Sequence, residues 1–156
     1  MNRVKTETSK ASDQLMEQDY QGTSAEAIQH HYDDGNKFYR LWLDNTMAYT
    51  CAMWEEGEGY ENLETAQIRK LDFHINQARA KGAKRVLDIG CGWGPLLRRL
   101  VEVHDVEKAV GLTLSKAQAE WVKSFKKPGI EVYLEIWSDH YPEEPYYALL
   151  VVGVLE

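Results

Sequence analysis

The sequence predicts an α/β fold, an incomplete parallel sheet of about four strands preceded by a helical cap. Beyond Lys84, short apolar runs alternate with amphipathic stretches in the order strand, helix, strand, helix, strand, loop, strand. Strands joined by crossover helices form parallel sheets. A doubly wound sheet usually continues beyond its switch point, so we expect this chain of 156 residues to contain only part of one.

Three regions differ in composition. Residues 1–22 are polar, of mixed charge and without a sustained period, and are predicted to form a flexible N-terminal arm. Residues 23–82 are predicted to form the helical cap. Residues 83–156 are predicted to form the N-terminal half of a Rossmann-like parallel-sheet domain.

The cap is predicted from three helical segments. The run Thr23-Ser24-Ala25-Glu26 has the form of a capping box and should begin a helix towards Tyr32. After a predicted turn over 33–36, a short helix is expected over 37–43. A third is expected over 63–80, where apolar residues recur near helical spacing.

Four apolar runs predict the strands. They cover residues 85–90, 108–114, 130–136 and 146–154. The intervening helices are expected to end near His104 and to begin at Ser115. The last run is about half the length that a membrane span needs, so it is interpreted as a buried strand.

Charge and cysteine content narrow the function classes. With 18 basic and 25 acidic residues, the formal charge is −7, and nucleic acid is excluded as an expected partner. Local basic groups, Arg98 with Arg99 and Lys123 with Lys126 and Lys127, still permit peripheral membrane contact. The two cysteines lack metal-type spacing, so no metal site is expected. The first residues lack the apolar core of a signal peptide, which favours a cytoplasmic protein.

A glycine-rich turn follows the first strand, Asp88-Ile89-Gly90-Cys91-Gly92-Trp93-Gly94. Glycine lets the backbone bend tightly and approach a ligand without a Cβ in the way. Pro95 suits the first turn of the next helix, where its missing N–H costs little. A nucleotide-like ligand is therefore predicted at this bend.

The loop chemistry separates two classes of nucleotide. A dinucleotide site has G-x-G-x-x-G and an acidic residue about 20 positions later. Here Pro95 stands at the third glycine position, and the second strand ends in Thr113-Leu114-Ser115 without an acid. Asp88, placed before the first glycine, suits a cofactor with an ammonium group and no phosphate. S-adenosylmethionine fits that description.

Five segments resemble, in order and spacing, the cyclopropane fatty acid synthase and mycolic acid cyclopropane synthase family. They are 28–39 (IQHHYDDGNKFY), 47–54 (MAYTCAMW), 66–70 (AQIRK), 87–94 (LDIGCGWG) and 111–118 (GLTLSKAQ). The resemblance implies a Rossmann-like class I methyltransferase sheet and S-adenosylmethionine as cofactor. The implied cofactor contacts are Tyr49, Thr50, Asp88, Gly90, Gly92, Gly94, Thr113, Leu114, Gln118, Trp137 and Ser138.

For three of these residues another interpretation stays open. Gln118 lies three residues after Ser115 and also suits a capping box. Trp137, directly after a strand, also suits a core position, and Tyr49 also suits plain packing. For the two aromatic residues, contact with the cofactor is favoured by the attraction of aromatic rings for a sulfonium, roughly 0.5–2 kcal/mol.

The implied reaction transfers a methyl(ene) group to the carbon–carbon double bond of an unsaturated lipid acyl chain or another olefinic small molecule. The resulting carbocation must lose a proton, and the family's base resembles a bound bicarbonate. By resemblance Cys51 and Glu156 are its catalytic ligands. Taken alone, Cys51 would be interpreted as an inert buried thiol and Glu156 as a solvated side chain.

Several positions depart from the family pattern. Tyr147 stands in place of an acid, Thr50 in place of Ser, Met53 in place of an aromatic residue and Leu155 in place of Phe. The family's bicarbonate-binding His and Tyr would follow Glu156, so we expect a truncated chain with little turnover. Two alternatives remain, a small-molecule N- or C-methyltransferase and a truncated non-catalytic module.

Overall fold

The computed structural model describes residues 35–55, 57 and 61–154. The predicted N-terminal arm, the helix predicted from Thr23 and the candidate Glu156 lie outside these residues. In chain order the elements are α1 (Gly35–Tyr39), α2 (Leu63–Gln77), β1 (Arg85–Ile89), α3 (Pro95–Glu102), β2 (Lys108–Thr113), α4 (Lys116–Ser124), β3 (Ile130–Leu134), a 3₁₀ turn (Trp137–Asp139) and β4 (Ala148–Val151).

The four strands form one parallel sheet in the order β3-β2-β1-β4, which confirms the predicted architecture. β1 pairs with β2 from Arg85↔Lys108 onward and with β4 from Val86↔Ala148 onward. The chain moves outward from β1 to β3 and then returns to the far side of β1. The topological switch point therefore lies between β1 and β4, where sheets of this kind bind ligands beyond the strands' carboxyl ends.

The alternation of side chains along the strands builds two apolar layers. One layer packs between the sheet and helices α2, α3 and α4, and includes Ile75, Val86 and Leu97, all fully buried. The other layer contains Leu87 and Val110 on the opposite face. Burial of each side chain of this size stabilises the folded state by about 1.5–3 kcal/mol. The two layers therefore hold the sheet in place, and with it the strand ends that carry the candidate site.

Two elements differ from their predicted bounds at both ends, whereas α2 and β3 begin as predicted and end earlier, at Gln77 and Leu134. α1 begins at Gly35, inside the predicted turn, and ends at Tyr39. The Asp44 carboxylate then accepts hydrogen bonds from the backbone N–H (3.0 Å) and the hydroxyl (2.9 Å) of Thr46, which turns the chain. β4 covers Ala148–Val151 only, because it pairs with β1 over four positions and the chain bends at Gly153, whose φ is 72°.

A polar cluster joins α2 to α3 and to His104, the second residue beyond the end of α3. Asp72 accepts two hydrogen bonds from the Arg99 guanidinium, both 2.7 Å, and lies 2.7 Å from Nε2 of His104. The Arg99 hydrogen bond lowers the pKa of Asp72 below its ordinary value. We call Asp72, Arg99 and His104 the helix clamp.

Within the residues that the structure describes, no helix is long and apolar enough to cross a bilayer.

Candidate functional site at the carboxyl ends of the strands

The glycine-rich bend connects β1 to α3. Gly90, Gly92 and Gly94 have φ values of 76°, 55° and 78°, in the left-handed region that side chains disfavour. The N–H groups of Gly90 and Cys91 both donate to the carbonyl of Leu112 at 2.9 Å, which ties the bend to β2. The backbone conformation therefore explains why the sequence has glycine at all three positions.

The three glycines face different surroundings. A Cβ added at Gly90 would lie 2.1 Å from Cγ2 of Val154, and one at Gly94 would lie 2.9 Å from Cγ2 of Val122. A Cβ at Gly92 would meet no described atom within 4 Å. Gly90 and Gly94 thus allow close packing within the protein, whereas Gly92 leaves open space where a ligand can approach the backbone.

Asp88 lies in β1 just before this bend and is 3% exposed. Burial raises the pKa of its carboxyl to about 7. None of the ion pairs in the described part of the chain involves Asp88. A buried carboxylate without a cationic neighbour is costly, and a ligand that brings an ammonium group or hydrogen-bond donors would lower that cost.

Four aromatic rings join the cap to the glycine bend. The Tyr49 ring centroid lies 5.4 Å from that of Tyr39, 5.3 Å from that of Trp42 and 6.3 Å from that of Trp93. Trp93, inside the bend, is 1% exposed and donates from Nε1 to Oδ1 of Asn36 at 2.7 Å. We call Tyr39, Trp42, Tyr49 and Trp93 the aromatic cluster. Through it Tyr49, a predicted cofactor contact, lies beside the glycine bend.

Two buried polar residues of α2 hold the cap segment 48–51. Gln67 Nε2 donates to the carbonyl of Thr50 at 2.8 Å and to that of Ala48 at 3.4 Å. Lys70 Nζ donates to Gln67 Oε1 at 2.6 Å and also to Thr50 Oγ1. Our sequence-based prediction assigned neither residue to the site. The pattern that could have indicated them is a pair of long polar side chains, three positions apart, on the face of α2 that buries Ala66.

Thr50 also contacts the chain just beyond β4. A Cβ added at Gly153 would lie 2.4 Å from Cγ2 of Thr50. The cap segment is therefore packed over the switch point between β1 and β4.

At the end of β2, Thr113 and Gln118 are buried and joined to one another. Thr113 Oγ1 donates to Gln118 Oε1 at 2.7 Å and accepts from the N–H of Ser115 at 3.1 Å. Ser115 Oγ accepts from the N–H of Gln118 at 3.3 Å and caps α4. The hydrogen bond from the Gln118 N–H to the Ser115 side chain is the first half of the expected capping box. In the second half, the Ser115 N–H donates to Thr113 Oγ1 instead of to the Gln118 side chain. Leu114, between them, is half-buried.

Trp137 and Ser138 lie in the 3₁₀ turn beyond β3, two strands from β1 in the sheet order. Trp137 is 61% exposed, so it does not occupy a core position. Ser138 Oγ donates to Asp139 Oδ1 at 3.1 Å. Both side chains thus remain on the surface at the same edge of the sheet as the glycine bend.

The two cysteines have opposite environments. Cys51 is an exposed free thiol in the cap segment. Cys91 is buried beneath the glycine bend, and burial together with the charge of Asp88 raises its pKa well above the ordinary value. The burial expected of Cys51 when it is considered alone is therefore wrong, and the buried thiol is that of Cys91. No group of three or more His, Cys, Asp or Glu side chains in the described ranges could hold a metal ion.

Residues 19–156 match the family described as mycolic acid cyclopropane synthetase. The chain belongs to this family. Cyclopropane mycolic acid synthase 3 of Mycobacterium tuberculosis (strain CDC 1551 / Oshkosh) is 39% identical over 134 residues, which are 83% of this chain and 45% of that relative. The chain thus spans less than half of the relative's length.

Two solved structures of the family share the fold. The cyclopropane synthase MmaA2 from Mycobacterium tuberculosis has a TM-score of 0.75 at 39% identity, over 84% of this chain and 46% of that one. The mycolic acid cyclopropane synthase CmaA1, complexed with SAH and CTAB, has a TM-score of 0.75 at 35% identity, over 86% of this chain and 47% of that one. The four-stranded sheet is therefore part of a Rossmann-like class I methyltransferase fold.

Proposed function

We propose that this chain is the cofactor-binding part of an S-adenosylmethionine-dependent methyltransferase that acts on the carbon–carbon double bond of an unsaturated lipid acyl chain. The observation that carries the proposal is the buried carboxyl of Asp88, which has no ion-pair partner among the described residues, beside the open backbone at Gly92. Family membership and the complex of CmaA1 with SAH support the choice of cofactor.

The residues at the strand ends suit an adenosyl donor with a positive charge. Asp88 would accept hydrogen bonds from the cofactor, and Gly92 would leave room for it at the backbone. The rings of Tyr49 and Trp42, each about half-exposed, would face its sulfonium, since aromatic faces attract cations. When bound, the cofactor supplies an electrophilic methyl group.

Around this centre we retain the other predicted contacts. Thr50 would contact the cofactor from the cap, Thr113, Leu114 and Gln118 from the end of β2, and Trp137 with Ser138 from the end of β3. In this division residues 23–82 act as a cap over the sheet domain of residues 83–156.

Transfer of a methyl group to an olefin requires a base that removes a proton afterwards. We propose that Cys51, which is exposed in the cap segment, and Glu156 help to bind a bicarbonate that takes this role. The thiol of Cys51 belongs to the same short segment as Tyr49 and Thr50, so it would lie close to the cofactor end of the acceptor site. Lys123, Lys126 and Lys127, along an open groove of about 550 Å³ beside β3, would provide the peripheral membrane contact.

Isothermal titration calorimetry of the 156-residue chain with S-adenosylhomocysteine tests the cofactor. We expect saturable binding that an Asp88→Asn substitution weakens, while the exposed Asp105→Asn control binds as the unsubstituted chain does. A chain that is folded by circular dichroism and releases no heat would contradict the proposal and favour a non-catalytic module.

The acceptor requires a second experiment, on the full-length protein that carries this chain. We expect labelled S-adenosylmethionine to mark unsaturated phospholipid in vesicles, and a Cys51→Ser substitution to reduce the rate. Labelling of a soluble amine without any lipid product would favour the small-molecule N-methyltransferase instead. An unchanged rate in Cys51→Ser would contradict the bicarbonate assignment.

A further inference from the structure

Lys70 is a cation inside the protein. Lys70 is 5% exposed, and a lysine is almost never buried to this extent without an ionic partner. Yet none of the ion pairs among the described residues includes Lys70, and its hydrogen-bond acceptors are the neutral oxygens Thr50 Oγ1 and Gln67 Oε1. An arrangement so costly needs a reason beyond packing.

The donors and acceptors of this network have a single consistent direction. An ammonium has three donors and no acceptor, so both oxygens must accept from Lys70. The amide oxygen of Gln67 is thereby committed, and its Nε2 donates to the carbonyls of Thr50 and Ala48. The hydroxyl proton of Thr50 cannot point at Lys70 and stays free to donate away from α2.

We propose that Lys70 is a positioning residue of the cofactor site, which donates to Thr50 Oγ1 and so directs the Thr50 hydroxyl proton towards an acceptor atom of the bound cofactor. This inference rests on the proposed function, in which Thr50 contacts the cofactor. Gln67 supports the same arrangement, because it holds the backbone of Thr50 at 2.8 Å. Lys70 acts through Thr50 and does not itself touch the cofactor.

The protonation state of Lys70 determines the direction of this hydrogen bond. Burial lowers the pKa of Lys70, while electrostatic interaction with the Asp44 carboxyl and the Cys51 thiol opposes the shift. On its own helix Lys70 faces His74, whose pKa is lowered by burial and by the Lys70 charge. Above its pKa the neutral amine has a lone pair and can accept, so the Thr50 proton can turn back to Nζ. Cofactor affinity should therefore fall as the pH rises through the lowered pKa of Lys70.

A double-mutant cycle tests the inference on the 156-residue chain with S-adenosylhomocysteine as the probe. Lys70→Met keeps the length of the side chain and removes its donors, and Thr50→Val removes the hydroxyl. We expect each substitution to weaken binding by about tenfold, as the loss of a hydrogen bond to a charged group does. The double variant should bind within about twofold of Thr50→Val alone, because Lys70 acts through Thr50.

The control is Lys81→Met, the same change at an exposed lysine outside the site, which should leave binding unchanged. Wild-type affinity in Lys70→Met, or losses that multiply in the double variant, would overturn the inference while leaving the proposed function intact. If the unsubstituted chain does not bind the probe, both are overturned.

A second test measures how the affinity of the unsubstituted chain for S-adenosylhomocysteine depends on pH. It does not require that a Lys70 variant folds. We expect this affinity to fall at alkaline pH more steeply than that of Thr50→Val. Parallel profiles for the two proteins would also overturn the inference.

Discussion

The helix clamp and the candidate site both contain charged side chains that are partly or fully buried, and the surroundings of those charges differ. In the clamp, Asp72 receives two hydrogen bonds from Arg99 and a third contact from His104, so its charge is neutralised within the protein. At the site, Asp88 lacks a cationic neighbour in the described residues, and Lys70 is hydrogen-bonded only to neutral oxygens.

The pKa directions express this difference. Arg99 lowers the pKa of Asp72, so the folded state favours its carboxylate. Burial raises the pKa of Asp88 to about 7, so the folded state without ligand disfavours its carboxylate. The clamp therefore stabilises the fold, whereas the site retains a destabilising charge that a cationic ligand can relieve.

The largest effect should follow from Asp88→Asn. The substitution removes the anionic partner that we propose for the ligand, and we expect S-adenosylhomocysteine affinity to fall by about 100-fold, as for the loss of a buried charge-assisted hydrogen bond. At pH 8 the ligand-free chain should become more stable by about 1–4 kcal/mol, because the buried carboxylate is gone. Calorimetry and urea unfolding measure the two changes, with Asp105→Asn as the control. Loss of both affinity and stability would contradict the contrast with the clamp.

Asp72→Asn should have the reverse signature. It leaves Arg99 and His104 without their acceptor charge, and we expect the free energy of unfolding to fall by about 1–3 kcal/mol. Affinity for S-adenosylhomocysteine should stay within about twofold, because the clamp binds α2 to α3 away from the glycine bend. Urea unfolding and calorimetry on the same samples measure both quantities. If the free energy of binding fell by more than the free energy of unfolding, the two regions would be coupled.

The pH dependence of stability should separate the two carboxyls. The pKa of Asp88 is raised on folding, so its contribution is favourable below the unfolded value and is lost as the pH rises to about 7. The pKa of Asp72 is lowered, so its contribution is present above the unfolded value and is lost as the pH falls through the folded one. Unfolding of Asp88→Asn should lose the decline between pH 4 and 7, and that of Asp72→Asn the decline at acid pH. Identical profiles in both variants would contradict the assignments.

The smallest effect should come from Gly92→Ala. The added methyl group meets no described atom, so its cost is the left-handed backbone alone, about 1 kcal/mol. We expect a small fall in melting temperature together with a clear loss of affinity, since the methyl group occupies the space left for a ligand. Thermal unfolding and calorimetry compare this variant with Gly82→Ala, which also has a positive φ (68°) and open surroundings. Equal affinity in both variants would contradict a ligand at Gly92.

Much of the fold could be predicted because its signals are local. The apolar runs predicted all four strands, and Ser115 does cap α4. Element ends were less predictable. The strand predicted over 146–154 pairs with β1 over four positions only, because pairing requires a partner as well as an apolar run.

The candidate site was predictable in the same uneven way. The glycine bend and Asp88 are adjacent in sequence, and the structure places them together as expected. The roles of Gln67 and Lys70 were missed, because their partners lie 17 and 20 residues away in sequence. No periodicity within α2 indicates which loop its buried polar side chains will meet.

By itself the sequence determined the parallel α/β architecture, the glycine bend and the family, since each depends on residues that are neighbours in the chain. Only the tertiary structure decided which glycine faces open space, which cysteine is buried, and which charges are paired. Those properties depend on side chains brought together from distant segments, such as Trp93 and Asn36, which are 57 residues apart. Burial and electrostatic pairing are consequences of that packing, so they cannot be read from local patterns.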